Sequence, residues 1–212
     1  MKKRIATFVY AVLAGFTIGI GGNVFLALSA VSRPLGALLF TVGLFTICTL
    51  GLNLYTGKVC YLFDNPPSYA VDVVIIWFGN LVGTWAMAAL VSLTRLGAGF
   101  AETAAALCQT KLDDSLLSLF VLGILCNVLI YIGVEGFKNN PHEVGKYLSL
   151  VFAVMVFILT GTEHSIADMY YFAMAGMLWS GKSLLCLLVI SLGNLCGGVL
   201  FPLGKKLYRA LQ

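Results

Sequence analysis

Six apolar stretches dominate this chain of 212 residues, at about 5–29, 35–62, 70–94, 115–137, 146–178 and 183–208. Crossing the hydrocarbon of a bilayer takes roughly 20 mostly apolar residues per helix, and most of the stretches have about that length. A soluble domain of this size would still need a polar coat. Only 10% of these residues are charged and 60% are hydrophobic, against about 25% charged in an ordinary soluble domain. The chain is therefore predicted to be an all-α integral membrane protein with six transmembrane helices in one domain, residues 1–212. Lys2, Lys3 and Arg4 precede the first stretch as they would in a signal peptide. That stretch runs on through Ser29 without a small-x-small cleavage site, so it reads as a retained helix.

Other classes find little support. The net charge of +4 sits mostly at the two ends, which argues against a nucleic-acid partner. Five of the six cysteines, Cys48, Cys60, Cys108, Cys126, Cys186 and Cys196, lie in apolar stretches, and none forms a CxxC pair. They read as packing residues, with no cofactor or metal expected. Lys and Arg also set the orientation. One side carries Lys2, Lys3, Arg4, Lys58, Lys138, Lys146, Lys205, Lys206 and Arg209; the other carries Arg33, Arg95, Lys111 and Lys182. Both termini are expected on the richer, cytoplasmic side of a cell (inner) membrane.

Two stretches carry polarity where lipid would not tolerate it. The second holds Gly51, Asn53, Thr56, Gly57 and Lys58; the fifth holds Thr160, Gly161, Thr162, Glu163, His164, Ser165 and Asp168. Such segments survive in a membrane where they line a cavity, often as broken helices. There is also an internal repeat. Gly79-Asn80-Leu81-Val82-Gly83 matches Gly193-Asn194-Leu195-Cys196-Gly197, and Gly19 to Val24 matches Gly123 to Val128. The halves, about 1–95 and 113–212, hold three spans each, so the second must be inverted, as in many transport pathways. The pairs Gly15/Gly19, Gly79/Gly83 and Gly193/Gly197 suggest close helix contacts, within or between subunits.

At these residues the sequence resembles the formate–nitrite transporter family over nearly its whole length. Leu54-Tyr55-Thr56-Gly57 is similar to the loop that interrupts the family's second span, and Gly161 to Met169 to the break in its fifth, where a Glu-His-Ser run is specific. The resemblance implies a homopentamer of aquaporin-like protomers, each with its own pore for small monovalent anions. It implies that His164 is the central pore residue, with Thr56 facing it. It places Phe40, Leu44, Leu54, Tyr55 and Phe157 at apolar constrictions, Asn127 among the polar partners, and Lys146, 18 residues before His164, as the conserved lysine. The chain departs from the family at Asn53, usually acidic, at Thr162, usually apolar, and at Asp168, often Asn; these bear on substrate choice and gating.

The expected chemistry is passage of weak-acid anions, formate first, with nitrite or hydrosulfide as alternatives. A bare anion in a narrow apolar slit loses tens of kcal/mol of hydration in the idealised limit, so it is expected to neutralise. His164, with an ordinary pKa near ~6.5, is the natural proton partner in such a slit; Lys146 would draw the anion in, and water in its field is the other possible proton donor. Glu163 should hold the broken loops rather than touch substrate, since adjacent helical positions point about 100° apart. The bland readings are a helix cap for Thr56 and a snorkelling lysine for Lys146. A membrane-embedded enzyme using Glu163 and His164 is the alternative from another class, but HExxH and Gly-rich serine elbows are missing from the sequence. A subunit of a larger helical complex is the third reading.

Overall fold

The computed structural model describes residues 2–212. Its helices are α1 (Lys2–Leu28), α2 (Arg33–Leu50), α3 (Tyr55–Lys58), α4 (Tyr69–Ser92), α5 (Gly97–Asp113), α6 (Leu116–Asn139), α7 (Glu143–Thr160), α8 (Ser165–Met174) and α9 (Gly181–Ala210), with a 3₁₀ segment over Val59–Asp64. Six of them, α1, α2, α4, α6, α7 and α9, are long and apolar enough to cross a membrane. The second and fifth stretches are each broken in two. Helix α5 falls between the two halves, where the sequence predicted no element.

The pattern is inside-out relative to a soluble protein. Val9, Leu13, Val74, Phe78, Leu125, Phe152, Leu188 and Leu200 face outward, whereas Asn80, Asn127, Asn194, Thr56, Thr84, His164 and Ser165 are buried. Lipid solvates the outer leucines as well as a core would, so the interior is free to hold the polar groups. Both termini lie at one end, because Arg4 pairs with Asp72 at 3.4 Å and Lys206 pairs with Asp64 at 2.8 Å just ahead of the same helix.

Two tight helix pairs form the frame, α1 with α4 and α6 with α9. A Cβ at Gly83 would overlap the Val12 carbonyl oxygen, and one at Gly197 would overlap that of Ile124. The paired glycines thus serve contacts within the chain, where small residues let backbones touch. The same contacts correct the repeat. Gly79 lies on Phe8 and Ala11, and Gly193 lies on Phe120 and Gly123, so Ala11 corresponds to Gly123. The sequence match of Gly19 with Gly123 is two helical turns out of register.

The breaks are made alike. Gly51 (φ 68°, ψ 27°) ends α2 and Gly161 (φ 73°, ψ 29°) ends α7, both in the left-handed conformation that favours glycine. One asparagine then bridges each break. Asn80 donates to the carbonyls of Ala11 (2.7 Å) and Asn53 (2.9 Å) and accepts from the Tyr55 N–H (2.8 Å). Asn194 donates to Gly123 (2.8 Å) and Glu163 (2.9 Å) and accepts from the Ser165 N–H (3.0 Å). Asn80→Leu or Asn194→Leu should therefore orphan two buried loop groups, one carbonyl and one N–H, at roughly 1–3 kcal/mol each, since the Ala11 and Gly123 carbonyls keep their helical partners. A clearly lowered unfolding midpoint in detergent is the expected result, with Asn139→Ala at the exposed end of α6 as the silent control.

Candidate functional site

The two breaks bring Thr56 and His164 together. Their positions follow from the asparagine bridges: Thr56 is one residue beyond the amide held by Asn80, and His164 one residue before the amide held by Asn194. Thr56 Oγ1 and His164 Nε2 lie 2.9 Å apart, and both residues are almost fully buried. His164 also caps α8, its Nδ1 accepting the Ala167 N–H at 3.1 Å. A neutral ring whose Nδ1 is an acceptor carries its proton on Nε2, so the imidazole donates to Thr56. The Thr56 hydroxyl hydrogen is left to point elsewhere. Asn127 fixes the other side of this loop, donating to the Thr56 carbonyl at 3.1 Å.

Apolar rings close the waist. Phe157 stacks on His164 with centroids 5.5 Å apart and planes at 20°, and Phe40 stands edge-on to Phe157 at 6.0 Å and 89°. On either side lies a small cavity. The one toward the termini, of about 90 Å³, is lined by Leu44, Leu54, Cys48, Tyr61, Lys58 and Lys138 among others. The one toward the far end, of about 80 Å³, includes Phe157, Thr162, His164, Arg33, Lys111 and Asp168 in its wall. Thr162 donates its hydroxyl to the Phe157 carbonyl at 3.1 Å, tying the break to the end of α7.

The buried carboxylates do not face the pore unpaired. Lys111, on α5 outside the six spans, bridges Glu163 and Asp168, the latter at 3.1 Å. Burial alone would depress the Lys111 pKa, but Asp168 and then Glu163 outweigh it and hold the ammonium above its ordinary value. Glu163 is also tied through its backbone, its N–H to Leu122 and its carbonyl to Asn194. It spans the break.

The structure thus gathers His164, Thr56, Asn127, Phe40, Leu44, Leu54 and Phe157 along one path and separates two other candidates from it. Tyr55 turns the opposite way from Thr56: its hydroxyl donates to the Ser191 carbonyl at 2.9 Å, and its ring lines an apolar groove with Trp77 and Leu188 between α4 and α9. Lys146 lines neither cavity and pairs with Glu143 on its own first turn of α7. The lysine that reaches the fifth-span break is Lys111, from 52 residues away. Lys138, read from sequence only as a topology marker, and Lys58, read as one and as part of the second break, are the cations of the terminus-side cavity. No local pattern could have revealed Lys111, whereas Lys58, inside a broken span, carried a readable signal.

The comparisons with known proteins agree with this architecture. The family model for the Formate/nitrite transporter matches residues 2–208. The uncharacterized transporter YrhG of Bacillus subtilis is 30% identical over 186 residues, which cover 81% of this chain and 70% of that protein. The formate channel FocA of Escherichia coli is 24% identical over 195 residues, covering 82% and 67%. A solved structure of a pentameric formate channel with formate bound superimposes with a TM-score of 0.87 at 25% identity, covering 100% of this chain and 99% of that one. An FNT family ion channel superimposes with a TM-score of 0.83 at 25% identity, covering 97% and 90%. With the family model spanning nearly its whole length and the fold shared from end to end, this chain belongs to the formate/nitrite transporter family.

Proposed function

We propose that the protein is a cytoplasmic-membrane channel for small monovalent anions of weak acids, formate foremost, which cross its waist as neutral acids. One observation carries this reading: a neutral His164–Thr56 pair, walled by Phe157 and Phe40, stands between two cavities that both contain cationic side chains. Positive charge meets an anion on either approach and is withheld at the centre. Lysine and arginine fields raise the local anion concentration. The apolar waist then penalises net charge heavily. A weak-acid anion can satisfy both demands by accepting a proton before the waist and releasing it beyond.

The geometry bears on where that proton comes from. The neutral His164 ring has no free lone pair, since Nδ1 caps α8 and Nε2–H faces Thr56. Taking a second proton would cost the cap bond as well as burying a charge. The arrangement favours an imidazole and a hydroxyl that donate hydrogen bonds to the passing acid. The proton is then taken from water in the approach cavity, leaving hydroxide there, and is returned to water on the other side. Of the two donors open at the sequence level, His164 and water, this arrangement favours water. The likeness to a pentameric formate channel supports formate as substrate and a homopentamer as the assembly. The terminus end holds nine of the 13 Lys and Arg residues, which supports cytoplasmic termini.

Three outcomes are expected. In proteoliposomes, flux should fall steeply from formate and nitrite to nitrate and chloride, and should rise as pH is lowered on the side of addition; in planar bilayers, large formate or chloride currents at neutral pH would overturn neutral passage. His164→Asn keeps a capping side chain but loses the contact to Thr56. It should assemble normally, discriminate formate from nitrate less well, and keep the pH dependence of formate flux. Loss of that pH dependence would return the donor role to His164. Finally, the protein purified in mild detergent should have the mass of a pentamer.

A further inference from the structure

The two cavities are built on equivalent backbone yet carry different charge. Asn53 and Glu163 occupy matching places in the two breaks. Each gives its N–H to a carbonyl of the first helix of its half, Tyr10 or Leu122, and its carbonyl to the bridging asparagine. Five residues further on stand Lys58 in one half and Asp168 in the other. At the far end, Glu163 and Asp168 share Lys111, and Arg33 lines the same cavity. There Lys111 is balanced by Asp168 in the wall and by Glu163 behind it, and Arg33 donates to the Ile158 carbonyl at 3.2 Å.

At the terminus end the balance is missing. Asn53 is a neutral amide whose side chain donates to the Thr7 carbonyl at 3.2 Å. Among the described residues Lys58 makes no ion pair. Lys138, the second ammonium of the cavity wall, donates to Tyr61 Oη at 2.8 Å and lies 4.1 Å above that ring. Tyr61 in turn donates its hydroxyl to Glu135 at 2.6 Å, and Glu135 also faces Lys205 at 3.5 Å. Asn139 donates to Glu135 as well, at 3.1 Å, so this carboxylate is engaged by three groups and is not part of the cavity wall. Two ammonium groups and a phenol face a space closed on its inner side by Leu44 and Leu54.

We propose that this terminus-side cavity is an anion-staging site, in which Lys58 together with Lys138 holds one small monovalent anion ahead of the waist more firmly than the far cavity does, where Lys111 is taken up by two carboxylates. The pore is thereby electrically polarised on a symmetric frame. The site's purpose rests on the channel reading above, but its existence is testable without transport. Cys48 lines the same cavity and is partly exposed, and Cys196, the other accessible thiol, can be changed to serine.

In full-length Cys196→Ser protein in nanodiscs, Cys48 should react faster with a sulfonate-bearing methanethiosulfonate than with a trimethylammonium one, by about tenfold at low salt. The ratio should shrink as salt rises. Lys58→Gln should bring it close to one, and Lys58→Arg should preserve it. In a second measurement that uses no thiol, the NMR line of isotope-labelled formate should broaden with wild type and sharpen with Lys58→Gln. Equal reagent rates in wild type, or a ratio and a formate line both indifferent to Lys58→Gln, would overturn the site. A wild type that shows the charge preference but gives no formate flux in proteoliposomes would keep the site and overturn the channel reading instead.

Discussion

Two carboxamides hold this pore open to function. A helix broken inside a bilayer exposes backbone groups that lipid cannot satisfy, and each break here is repaired by a single asparagine offering two donors and one acceptor. The repair does more than cancel a penalty. It fixes the residue next to each held amide, and those residues are Thr56 and His164. The waist contact of 2.9 Å is thus a consequence of two scaffold bonds made some distance from it. Without Asn80 and Asn194 the two loops would have no reason to meet.

The sequence told most about features that depend on composition and least about those that depend on direction. The six spans and the positions of the two breaks were legible, because solvation by lipid and polarity in mid-span are properties of a short window. The matching Gly-Asn-Leu-x-Gly runs were visible too, though not the work that Asn80 and Asn194 perform. The pairing of Gly19 with Gly123 failed because glycines recur every turn along α1, at Gly15, Gly19 and Gly22, so several registers look alike. Helix α5 was passed over because its mixed composition fits neither a span nor a clear surface helix. Tyr55 was misplaced for a geometric reason: it neighbours Thr56, and neighbours on a helical turn point different ways. Lys146 had the right spacing but stands on the wrong turn, while Lys111 had no spacing to advertise it.

Charge placement shows how such a site reconciles attraction with passage. Cations line both cavities, yet none touches the buried His164–Thr56 contact, so on the proposed reading attraction acts on the approaches and not at the centre. Glu163 and Asp168 do not spoil the far approach because Lys111 absorbs them. The lysine arrives from α5, the one helix with no counterpart in the first half. An element outside the repeat is thus what keeps the second half's carboxylates from repelling the traffic.

The asparagine bridges engage only main-chain atoms of the loops, and that has a consequence for descent with modification. Side chains at Asn53, Lys58, Glu163 and Asp168 can be exchanged while the loop geometry stays anchored from behind. Drifting lineages can therefore sample new electrical polarities, and with them new preferred cargoes, in single steps that the architecture survives.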